Sequence, residues 1–135
     1  MNTRRWLSAG VAAFVVISLL DYVAHGNLLM GLYRQTASVW RAEEGHSKAW
    51  LMYSGTFIFS MLFALIYAKG YESGKAGLGQ GLRYGILIGL LYSIPHLTIW
   101  YVVLPIPLAL AAGWVASSFI DCVTAGMVVG LLYRP

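Results

Sequence analysis

The sequence predicts an all-α fold, an integral membrane four-helix bundle, on three observations. The first is composition. Of 135 residues, 59% are hydrophobic and 10% charged, with a mean hydropathy of +0.71. A soluble domain of this length needs more charge than that to cover its core. The second is the charge-free runs. Residues 6–20, 49–68 and 84–133 hold a single Asp, Glu, Lys or Arg among them, Asp121. A bilayer core of about 30 Å takes about 20 helical residues, so the second run fits one span and the last fits two. The third is the position of Lys and Arg, which cluster at the ends of these runs.

The elements follow in order. Span one is expected over residues 6–27, reaching spanning length only by taking in Asp21 and His25. Its leading stretch "TRRWLSAG" resembles a twin-arginine export signal. No small-x-small cleavage site follows, so an uncleaved span is expected. Residues 28–48 mix Leu28, Leu29, Met30, Val39 and Trp40 with charges, which predicts an outer segment lying in the interface. Within it, "RAEEGH" reads as a solvated face, with Glu43, Glu44 and His46 able to meet a cation in passing. Span two covers 49–68 and a glycine-rich cytoplasmic loop covers 69–83. Span three covers 84–104, Pro105 and Pro107 make the outer turn, and span four covers 108–133.

Arg4, Arg5, Lys69, Lys75, Arg83 and Arg134 fall on one side of the membrane, against Arg34, Arg41 and Lys48 on the other. The positive-inside rule therefore places both termini in the cytoplasm. The expected location is the plasma membrane, multi-pass (the inner membrane in a bacterium). The net charge of +4 is accounted for by these span ends and is no nucleic-acid signal. The lipid bilayer is the expected partner, with a homodimer or a larger membrane complex open.

"GILIGLLYSIP" and "GMVVGLLYRP" echo one another, and their physical content is glycine spacing. Gly77, Gly81, Gly85 and Gly89 recur every four residues, as do Gly126 and Gly130. Such spacing makes a smooth helix face that admits another backbone in lipid. Gly85, Gly89, Gly126 and Gly130 are thus expected to pack tightly in the inner half, between spans three and four or across a dimer. The outer half carries Trp50, Tyr53, Tyr92, Trp100, Tyr101 and Trp114, with Pro95 inside span three. Proline there frees the Leu91 carbonyl and favours a kink. A pocket opening outward is expected, lined by Tyr53, Tyr92, Pro95 and Trp100.

Four groups are costly at membrane depth and stand out for that reason: Asp21, His25, His96 and Asp121. Asp21 and His25 are four apart and share a helix face. With His96 they have the donor types of a divalent transition-metal site. Two histidines on different spans also suit haem b, and the same groups suit a proton relay. Each has a plain structural reading as well. His25 can snorkel to headgroups, Asp21 can hydrogen-bond a Tyr or Ser, and His96 can satisfy backbone freed by Pro95. Asp121 is the deepest, with only Ser117, Ser118 and Thr124 as local polar company.

One cysteine, Cys122, excludes an internal disulfide and CxxC chemistry. No P-loop, HExxH or GxSxG motif is present, so nucleophilic catalysis has no motif behind it. The favoured function is a binding or accessory membrane protein for a metal, cofactor or small apolar ligand. A homo-oligomeric proton-coupled transporter and a small membrane enzyme with an acid–base or metal site are the alternatives.

Overall fold

The computed structural model describes residues 2–41 and 44–134. Met1, Ala42, Glu43 and Pro135 lie outside them, and with them Glu43 of the solvated face and the final proline of the echo. Among the described residues there are helices and no strands.

Asn2 opens helix α1 (Thr3–Val23), its side chain accepting the Arg5 N–H at 3.2 Å. The chain then winds one wider turn, a π-helical segment over Ala24–Leu28, closed by Leu29 N–H on the Ala24 carbonyl. Two short helices follow, α2 (Met30–Gln35) and α3 (Glu44–Ser47), with a 3₁₀ turn Ala37–Val39 after α2. Three long helices complete the chain: α4 (Ala49–Lys69), α5 (Gly77–Val103) and α6 (Leu108–Leu132). The stretch Thr3–Leu28 and these three are 26, 21, 27 and 25 residues long and apolar enough to cross a membrane. At 1.5 Å per residue they reach about 32 to about 40 Å, enough for the hydrocarbon core. The protein is a multi-pass, four-helix membrane protein.

α1 lies between α4 and α6, and α6 pairs along its length with α5. Small residues explain the close approaches. Ala9 and Ala13 of α1 are fully buried, as are Ala64 of α4 and Ala125 of α6. A side chain at Gly10 would strike the Met61 sulfur, and Trp6 Nε1 donates to the Met61 carbonyl at 3.0 Å. Leu62, Leu87 and Leu91 point outward and stay exposed, as a lipid-facing surface requires.

The α5–α6 contact is backbone against backbone. A Cβ on Gly77 would meet the Gly130 carbonyl, one on Gly81 the Gly126 carbonyl, and one on Gly85 the Cys122 carbonyl at 2.5 Å. Gly126 and Gly130 face Gly81 and Gly77 in return. Gly89 differs, for its neighbour is the Phe119 ring. The glycine faces of α5 and α6 are thus occupied within one chain. They also explain why α5 begins at Gly77 rather than at residue 84: Gly77 and Gly81, in a stretch that reads as loop, are helical and pressed on α6.

α4 and α5 meet through large side chains instead. Phe59 packs at a tilt against Tyr92 and Phe63 against Tyr84, with ring centroids 5.2 and 4.6 Å apart. Tyr84 Oη donates to the Phe63 carbonyl at 2.7 Å. The end that carries both termini is closed by Tyr67, whose ring meets Tyr71, Tyr84 and Tyr133. At that end Glu72 pairs with Lys75 and Arg83. At the opposite end the segment after α1 folds back over the bundle. Leu29, Leu32, Tyr33 and Trp40 cover Ile106, Leu110 and Ala111 at the start of α6.

Candidate functional site

Two carboxyl groups distant in sequence meet inside the bundle. Asp21 of α1 and Asp121 of α6 line one cavity of about 140 Å³. Ile17, Phe59, Tyr92 and Cys122 wall that cavity. The local companions expected for Asp121 have other partners: Ser117 and Ser118 both donate to the Trp114 carbonyl, at 3.1 and 2.8 Å. Asp121 therefore finds its polar neighbour on another helix.

From Asp21 a line of polar groups runs to the end opposite the termini. His25 Nε2 stands 3.6 Å from Asp21, within ion-pair reach and beyond hydrogen-bond length. His25 Nδ1 is 2.6 Å from the Tyr33 hydroxyl, which accepts Trp114 Nε1–H at 2.6 Å. Trp114 has no other role available than donor. The Tyr33 hydroxyl keeps its proton and a second lone pair for His25 Nδ1, so the direction of that bond follows the imidazole tautomer. Burial pushes the Tyr33 pKa above the ordinary phenol value, and the Asp21 charge adds to the rise against the Trp114 hydrogen bond. Tyr33 stays a neutral phenol at physiological pH.

The π-helical turn sets this geometry. His25 lies within this turn and still meets Asp21 one turn back, and such turns often sit at functional sites. The Tyr33 ring is held edge-on by Trp40 at 5.3 Å, and Trp40 in turn meets Trp114 at 5.8 Å.

A larger cavity of about 490 Å³ lies on the other side of Asp21. Asp21, His25 and Tyr33 supply its polar wall, and Tyr22, Met52, Tyr53 and Thr56 its apolar and aromatic wall. Ser18 also lines it, and Ser18 Oγ has no hydrogen-bond partner among the described residues. The Asp21 side chain keeps 40% of its surface accessible here. Two further cavities adjoin. One of about 310 Å³ lies between His25, His96, Trp100 and Trp114, and one of about 290 Å³ runs along Leu20, Leu28 and Gly113 to Asp121.

The expected outward pocket is therefore divided. Tyr53 lines the chamber at Asp21, Tyr92 the one at Asp121, Trp100 the one at His96, and Pro95 none of them. α5 runs on as one helix through Pro95. His96 shares a chamber with His25, but its Nδ1 bonds the Tyr92 carbonyl at 2.9 Å and its ring packs at a tilt against Tyr92, centroids 4.4 Å apart. Among the described residues no three His, Cys, Asp or Glu side chains gather closely enough to hold a metal ion. The trio Asp21, His25 and His96 is not assembled as a ligand set. Both ring nitrogens of His25 face protein partners, so haem ligation would have to displace Tyr33 or Asp21.

Tyr33 was not expected at the site, nor was the π turn. The only sequence signal for Tyr33 is its place among apolar residues just beyond a span end. Together the fold and these chambers define a small four-helix membrane protein with a carboxyl pair and a His–Tyr–Trp chain in the half away from its termini. Compared with protein-family models, curated proteins and solved structures, the chain has no match.

Proposed function

We propose that this protein binds a small, largely apolar molecule in the membrane, in the chamber between α1 and α4. The observation that carries the reading is that chamber of about 490 Å³, apolar and aromatic on one wall, with Asp21, His25 and Tyr33 converging on the other. A few placed polar groups in a mostly apolar concavity are what ligand sites commonly offer. With both termini cytoplasmic, as the Lys and Arg distribution argues, the chamber opens toward the outer face.

Passage through the bundle has less support. Beyond Asp121, toward the termini, the buried positions of α6 are Cys122, Ala125, Gly126, Val129 and Gly130, which offer no polar side chain that could relay an ion. The glycine faces that a transporting dimer would use are taken up between α5 and α6.

The test is co-purification. Protein extracted in mild detergent is analysed for bound small molecules by mass spectrometry, beside a Thr56→Trp variant that fills the chamber. The proposal expects a compound enriched with the native protein and lost in the variant. Identical small-molecule profiles for two folded proteins would contradict it.

A further inference from the structure

The geometry points to a ligand class: the α1–α4 chamber takes an organic cation, an ammonium group on an apolar or aromatic body. This rests on the binding function proposed above and narrows it. Charge is the first argument. Asp21 brings a carboxyl to the chamber wall with Asp121 behind it, and among the described residues no Lys or Arg lines any of the four chambers around them. Of the two histidines that line these chambers, His25 faces Asp21 at 3.6 Å without a hydrogen bond, and His96 is turned to the Tyr92 carbonyl. A bound cation completes this balance better than any side chain present. Charge left unpaired in an apolar setting is costly, so occupancy by a cation stabilises the carboxyl pair.

Shape is the second argument. Tyr22, Tyr33 and Tyr53 all line the chamber that Asp21 enters. Aromatic faces attract cations through the negative face of the ring, and cages of such rings suit ammonium groups in particular. An anion would meet the carboxylate, and a neutral molecule would leave it unpaired.

Phenyltrimethylammonium and tert-butylbenzene have the same shape and differ in charge, so they separate the two arguments. Calorimetry uses the full-length protein in nanodiscs, with protein-free nanodiscs subtracted. The cation is expected to bind about tenfold tighter or more, the ratio that ~1.4 kcal/mol of charge-dependent attraction gives. Asp21→Asn should collapse that ratio. Equal binding of both probes overturns the cation assignment and leaves the binding function standing. Binding of neither overturns both. Should Asp21→Asn fail to fold, Tyr53→Leu carries the test, since Tyr53 is half exposed and outside the core. An unchanged ratio in that variant contradicts the assignment.

Discussion

The two halves of this bundle solve opposite problems. Toward the termini, α5 and α6 touch backbone to backbone at Gly77, Gly81, Gly85, Gly126 and Gly130, and the space beside them is filled by Phe63, Tyr67 and Tyr84. In the other half the same helices carry Tyr92, Trp100 and Trp114, and chambers open between them. Lipid supplies no hydrophobic drive for helix association, so packing must come from close approach. Concentrating the close approach in one half frees the other to hold space and polar groups. Stability and site are separated along the membrane normal.

The largest effect should come from breaking the tight half. Gly85→Leu places a side chain against the Cys122 carbonyl, where no rotamer can yield. Overpacking costs typically 1–3 kcal/mol, and a backbone neighbour puts this case at or above about 3 kcal/mol. Gly89→Leu, which meets the Phe119 ring, should cost visibly less. Denaturant titration of folded protein in mixed micelles measures both, and equal losses would remove the distinction drawn here.

In the open half, Tyr33→Phe removes the hydroxyl that links Trp114 to His25. Leaving such groups unpaired costs about 1–3 kcal/mol. The accompanying sign is a changed His25 ring signal in NMR, and an unaltered signal would mean the link does not form.

The four spans were legible because a charge-free run of membrane length suits a bilayer and little else. The glycine pairing was legible too, since a four-residue repeat of glycine makes a flat face. The meeting of Asp21 with Asp121 was not. Four similar greasy helices do not announce their neighbours, and only the packing order, with α1 beside α6, brings the two carboxyls together. The π turn and α2 were also hidden. "AHGNL" and "MGLYRQ" carry no capping signature, and tertiary contact with Ile106, Leu110 and Ala111 holds the covering segment in place.

Two small effects sharpen the comparison further. At the terminal end, hydrogen bonds from Lys75 and then Arg83 hold the Glu72 carboxyl below its usual range. A depressed folded pKa gives stability present above the ordinary carboxylate value and lost as pH falls through the folded one. Glu72→Gln should therefore lower the thermal midpoint slightly at neutral pH, and the gap to wild type should close in acid and in high salt. A gap independent of pH would assign Glu72 a packing role. Smallest of all is Ser18→Ala. Its Oγ is buried and unpartnered among the described residues, so stability should hold or rise slightly, with any loss no more than about 0.5 kcal/mol. A larger loss in a thermal scan would reveal a partner for that hydroxyl.

An accessible half is set against a sealed one, and two positions on the same helix test that division most directly. In a Cys122→Ala background, Thr56→Cys places a thiol in the chamber and Ala64→Cys places one in the fully buried core two turns nearer the termini. Reaction with a small, positively charged methanethiosulfonate in nanodiscs is then followed over time. Ready labelling of Thr56→Cys, slowed by phenyltrimethylammonium, is expected, and none of Ala64→Cys while the protein stays folded. Equal labelling at both positions, or protection of both, would contradict the division.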